Sequence, residues 1–318
     1  MGITVGIAVG NSMGNEHRHR NGVIAGVSAY VIWGLLTLYW HAMSGINAFS
    51  LIGWRIVGSA VLLGAVVFVT RSWRSLRPLA SPQIFARTSL AAIALATNWT
   101  IYVFCVTHGR VVDAALGYLL SPLGLVLAGA LILHEHLRFV QRCAIGLAAM
   151  SVALLAFGYG RPPVFAVLIA LTWTLYGVLK KRVPFGPLIG LTSEALVLLP
   201  LAILALSAQQ GFGDGALNGA TSTQTQLIAL AGVATAIPLL LFARAAQSVA
   251  LSTLGWLQYI VPTINLALGV ALYSEPMPPW RLAGFAVAWL ALLAVSIDGL
   301  RNAHAGSPSE PAVVPLEG

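Results

Sequence analysis

Ten nearly uninterrupted apolar stretches, each close to the length of a bilayer-spanning helix, divide most of this 318-residue chain. They fall at about 22–41, 49–69, 88–106, 113–133, 142–158, 163–179, 186–207, 226–243, 249–273 and 281–297. An α-helix rises about 1.5 Å per residue, so roughly 20 apolar residues cross a hydrocarbon core about 30 Å thick. In hydrocarbon every backbone amide must be satisfied within the protein, which leaves only helices or closed barrels. A barrel strand alternates apolar and polar residues, and these stretches do not. Composition agrees, with 58% hydrophobic and 8% charged residues and a mean hydropathy of +0.87. A water-facing surface is built from a chain with about 25% charged residues. The expectation is an all-α integral membrane protein with about ten transmembrane helices.

The net charge of +8 would suit a nucleic-acid partner only if it formed a basic face. It does not: nearly all Lys and Arg sit between the apolar stretches, which makes them a topology signal. With the N-terminus in the cytoplasm, 13 of the 17 fall on the inner side, three (Arg110, Arg161 and Arg281) on the outer side, and Arg55 within a helix. That asymmetry predicts an even number of spans, an inner-membrane location and both termini in the cytoplasm. Residues 1–21 read as an N-terminal cytoplasmic extension: Gly2–Gly10 is too short to span, and the Arg/His run follows it, unlike a cleavable signal. Residues 301–318 read as a disordered cytoplasmic tail. Cys105 and Cys143 fall near opposite membrane faces, so no disulfide between them is expected.

The chain repeats itself at an offset of 140 residues. Pro122, Gly129 and Glu135 recur as Pro262, Gly269 and Glu275, and Trp33 recurs as Trp173. The same offset lays the first five apolar stretches on the last five. Five is odd, so the halves, 22–160 and 161–300, enter the membrane from opposite sides. Such inverted repeats place a substrate site near the bilayer midplane between the halves.

Two five-helix repeats, each closing on a Pro…Gly…Glu helix, resemble the EamA-type transporters of the drug/metabolite transporter superfamily. Several segments are similar to its RarD subgroup. They include Ala29–Gly34 with Tyr39 and Trp40, Arg55, Asn98 with Trp99, Leu116–Leu123, Tyr176–Lys181, Glu194 ahead of Leu198–Leu201, Ile237–Phe242 and Leu254–Thr263. The likeness covers about residues 22–300. One departure is Ser121, where the subgroup usually carries asparagine. The resemblance implies a transporter and leaves its cargo open.

Ionisable residues inside a membrane are costly and mark functional sites by default. Only Glu194 among the acids, and only Arg55 clearly among the bases, lie well inside an apolar stretch. Arg55 is about 9 Å from the outer end of its helix and Glu194 about 12 Å from the inner end of its own. Offset 140 carries Arg55 to Ala195, beside Glu194, so the two charges are expected to face one central cavity, as a substrate or proton site, as a structural ion pair, or with each charge met separately by helix-end carbonyls. Asn98, Trp99, Gln258, Tyr259 and Asn265 are candidates to line that cavity or to bond between helices. Trp33 and Trp173 could stack on an aromatic cargo or simply pack. Glu135 and Glu275 read as structural caps on the helices that follow them. Pro122 and Pro262, with Pro200 and Pro238, should kink their helices. His134-Glu135-His136 is not a zinc motif, and no metal or cofactor is expected.

The reading is therefore a secondary transporter that moves a small organic metabolite or drug-like molecule by alternating access. No Walker A sequence supports ATP hydrolysis, so protons are the candidate coupling ion through Glu194. The competing classes are a non-transporting membrane receptor and a membrane enzyme. The enzyme would need a clustered nucleophile, base or metal set, which the sequence does not offer.

Overall fold

The computed structural model describes residues 3–132, 137–159, 162–180, 182–211, 217–246, 248–249 and 257–305. Among these every regular element is helical. In chain order they are α1 (Ile3–His41), α2 (Ala48–Val69), a 3-10 segment (Ser72–Ala80), α3 (Pro82–Thr107), α4 (Val111–Ile132), α5 (Phe139–Tyr159), α6 (Val164–Lys180), α7 (Pro187–Gly211), α8 (Ser222–Ala246), α9 (Ile260–Ala267, running into a π turn at Leu268–Leu272) and α10 (Pro279–Ala305). Eight of them are long and apolar enough to cross a bilayer. The two shorter apolar helices are Val164–Lys180 and Ile260–Leu272. The protein is a multi-pass membrane protein.

The helix ends differ from the apolar stretches where polar residues continue a helix. α1 begins at Ile3, so the segment read as an extension is helical and continuous with the first span, which starts at Arg20. The Arg-rich connection shortens because α3 starts at Pro82, a proline in the first turn where no amide is lost. α10 continues to Ala305, so part of the expected tail is helical, while residues 306–318 lie outside the described set. Pro122, Pro200 and Pro238 are helical interior residues, each removing one ladder bond.

The packing crosses the chain's midpoint. α1 lies on α8 and α9, and α6 on α3 and α4. α2 lies on α7 and α8, and α3 also on α7. α4 meets α9, and α5 meets α10. α4 is the most enclosed of the eight spans (56% buried) and α5 the least (17%), which places α4 centrally and α5 at the rim. Where α2 crosses α8, a methyl on Gly232 would lie 2.4 Å from the Gly58 carbonyl carbon, so two glycines bring the backbones together. Lipid tails are as apolar as leucine, so such close packing rather than hydrophobic transfer holds the helices together. Outward-facing Phe49, Phe68, Leu131, Phe157 and Leu204 are all strongly exposed, as a lipid-facing surface requires.

Candidate functional site

Arg55, on the eighth residue of α2, is only 4% exposed. Its guanidinium lies 3.7 Å from the centroid of the Trp99 ring on α3 and 5.4 Å from that of Trp40 on α1. Tyr39, Tyr102 and Tyr118 are close enough to act on it electrostatically. No carboxylate among the described residues pairs with it, and its Nε is buried without a hydrogen-bond partner. A desolvated cation–π contact returns about 2 kcal/mol. Removing a cation from water costs several kcal/mol. The aromatic cage therefore leaves Arg55 short of compensation.

Polar side chains from five helices surround this cage. Thr37 of α1 donates to Asn265 Oδ1 of α9 at 2.6 Å. Since Thr37 has one proton, the 2.8 Å contact with Tyr102 must be a bond donated by the tyrosine. Tyr118 donates to Asn98 Oδ1 at 3.0 Å. The Asn98 amide reaches the Ile169 carbonyl and Thr172 Oγ1 of α6, both at 2.9 Å. Tyr39 donates to the Leu227 carbonyl. All three tyrosine protons are thus directed away from Arg55. The buried Trp40 Nε1 and the Asn265 amide nitrogen have no acceptor, so two further donors at the centre are left unmet beside Arg55 Nε.

Glu194 is not part of this cluster. It is 3% exposed and paired with Lys180, the last residue of α6, while Tyr176 donates to its other oxygen at 3.3 Å. The alternative of a direct Arg55–Glu194 ion pair is not what the structure shows, and helix register gives the reason. Ser50 of α2 donates to Gln209 of α7, and Gly53 lies against Leu206, so the two helices run antiparallel. Arg55 is then level with Leu204, ten residues from Glu194, or about 15 Å along the axis. Equivalent positions in antiparallel helices fall toward opposite ends. A line of rings nonetheless links the two places: Tyr102, Tyr118, Trp173 and Tyr176 stand 5.6, 6.0 and 5.7 Å apart in sequence of contact.

Glu275 holds a different junction. Its carboxylate accepts from the amides of Val111 at 2.5 Å and Val112 at 3.1 Å, and Arg281 lies 3.6 Å away. Arg281 also bonds Asp113 at 3.0 Å and the Pro276 carbonyl at 2.8 Å. Glu275 thus caps α4, not the helix that follows it. The π turn at Leu268–Leu272 ends α9 beside the start of α4, and there the free amides of α4 meet an anion. Burial pushes the Glu275 carboxyl above its ordinary range, and the two amides and Arg281 pull against that shift. Glu135, in the matching place of the other half, lies outside the described residues.

The remaining expected residues divide. Trp99, Asn98 and Asn265 belong to the central cluster. Trp173 is in the ring line, whereas Trp33 packs on Tyr30 and Phe242 at 5.4 and 5.6 Å. Tyr259 faces away, bonding Ser296 at 2.8 Å and lying against Trp289. Gln258 is half-buried just before α9, and Pro262 is buried in its first turn. Several contributors were not among the site candidates read from the sequence: Thr37, Tyr39, Trp40, Tyr102, Tyr118 and Thr172 around Arg55, and Tyr176 and Lys180 at Glu194. A methyl on Gly190, one turn before Glu194, would lie 2.4 Å from the Lys180 amine, the movable end of a flexible side chain.

A bundle of long apolar helices that holds a buried cation and a polar network at its centre defines a class, the α-helical multi-pass membrane proteins. Residues 20–157 match the EamA-like transporter family. Protein RarD of Streptomyces exfoliatus is 39% identical over 91% of this chain and 92% of its own length. The uncharacterized transporter YojE of Bacillus subtilis (strain 168) is 38% identical over 86% and 93% respectively. A protein of known crystal structure aligns with 89% of this chain and 99% of its own at a TM-score of 0.56, and at 19% identity that likeness speaks for the fold alone. The chain belongs to the EamA-like transporter family.

Proposed function

We propose that this chain is a secondary transporter that carries a small organic molecule across the inner membrane by alternating access. Its moving parts are two inverted five-helix halves, residues 22–160 and 161–300, with both termini in the cytoplasm. One observation carries this reading. Exchanging α1–α5 with α6–α10 turns the main helix contacts into one another: α1 on α8 becomes α6 on α3, α1 on α9 becomes α6 on α4, and α2 on α8 becomes α7 on α3. The pairs α2–α7, α4–α9 and α5–α10 map onto themselves. Such two-fold packing supports two states of similar energy related by exchange of the halves, which is what alternating access requires.

The central cluster lies where α1, α2, α3, α4, α6 and α9 approach, so both halves contribute to it. Glu194 and Lys180 sit toward the inner end of the ring line under this topology. Protonation of Glu194 would release Lys180 and loosen α6 from α7, which couples proton uptake to opening on that side. Flux into proteoliposomes tests the reading. Saturable uptake of a small organic solute, driven by an imposed pH gradient, is expected. Specific binding with no flux in either direction would favour a receptor and overturn it.

A further inference from the structure

We infer that Arg55 is the anchor for the carboxylate of a small organic anion, and that the transported substrate belongs to that class. This rests on the transporter reading above. Arg55 is 4% exposed, has no acid partner among the described residues, and keeps its Nε unbonded. The three nearest tyrosines spend their protons on the Leu227 carbonyl, Thr37 and Asn98. Trp40 Nε1 adds a second donor without an acceptor. What the centre lacks is negative charge and an acceptor placed on Arg55 Nε and Trp40 Nε1, and a carboxylate can supply both.

The geometry narrows the class further. Trp99 covers one face of the guanidinium at 3.7 Å, which fixes its plane and leaves the edge to a planar, two-oxygen partner. A single cation balances one carboxylate, whereas a phosphate dianion would leave a net negative charge buried among aromatic rings. Trp40, Tyr102 and Tyr118 offer apolar faces for the body of the ligand. Glu194 keeps its own cation, so the anion does not compete with it for Lys180.

Thermal stabilisation of purified protein in lipid nanodiscs tests the inference, because a ligand of the folded state raises Tm. The probes are monocarboxylates from phenylacetate and indole-3-acetate to octanoate, each beside its neutral amide, with phenyl phosphate as a further arm. Carboxylates should stabilise the wild type and their amides should not. The apparent affinity should fall at least tenfold in Arg55→Gln, remain partly in Arg55→Lys, and stay unchanged in Arg244→Gln at an exposed site. Amides as effective as acids, an unchanged response in Arg55→Gln, phenyl phosphate alone stabilising, or no response from any carboxylate would each overturn it. The comparison of acid with amide needs only wild-type protein and stands if a variant fails to fold. Counterflow separates the two readings. Carboxylates that bind through Arg55 without exchange would leave the anion site and remove the transporter. Exchange of a neutral solute that carboxylates do not inhibit would leave the transporter and remove the anion site.

Discussion

Arg55 and Glu194, the two charges placed deepest by the sequence, stand ten residues apart along the antiparallel helices α2 and α7, about 15 Å. Glu194 is neutralised by Lys180, and Arg55 is covered by Trp99 and Trp40. A double-mutant cycle on thermal stability should therefore give a coupling under about 0.5 kcal/mol for Arg55–Glu194 and above about 1 kcal/mol for Lys180–Glu194. The swap Arg55→Glu with Glu194→Arg should not restore transport, since neither new charge meets its partner. Strong Arg55–Glu194 coupling would contradict the register derived from Ser50–Gln209.

Glu194→Gln should abolish accumulation driven by a pH gradient while retaining downhill exchange of cargo, because the amide keeps the shape but takes up no proton. Proteoliposome flux with and without the gradient is the measurement. Full gradient-driven accumulation by this variant removes Glu194 as the coupling acid.

Glu275→Gln should lower stability by about 1 kcal/mol, the scale of a helix cap. The amide oxygen still accepts from one α4 amide, and the neutral group no longer carries the cost of burying charge. Arg281→Gln should also destabilise, since it removes a cation that contacts both Glu275 and Asp113. Transport by Glu275→Gln should persist near the wild-type rate. Lost flux at unchanged melting temperature would place this junction in the mechanism instead.

Gly232→Ala should cost about 1–3 kcal/mol, the range for overpacking, because its methyl would meet the backbone of Gly58 rather than a movable side chain. Unfolding of purified protein in detergent would show it. Gly64→Ala, in open space on the same helix as Gly58, should be near neutral.

Reporter fusions after Arg77 and Lys181 should report cytoplasm, and fusions at Gly109 and Gly215 periplasm. The distribution of Lys and Arg motivates this orientation. A periplasmic signal at Arg77 or Lys181 would invert the protein and exchange the sides assigned to Arg55 and Glu194.

What the sequence determined by itself follows from solvent. Apolar runs near 20 residues can only be helices in lipid, so the all-helical membrane class was legible, as were Arg55 and Glu194 as residues too costly to bury without purpose. Asn98 and Trp99 could be marked as polar groups inside an apolar run for the same reason. Partnership was not legible. Whether Glu194 meets Arg55 or Lys180, and whether Glu275 caps α10 or α4, depends on which helices touch and on their axial register. That register is decided by contacts distant in sequence, such as Gly58 with Gly232 and Ser50 with Gln209. A helix's own pattern says which residues it would bury at a cost. Only the tertiary packing decides which of those costs are met, and it meets the one at Glu194 while leaving Arg55 open.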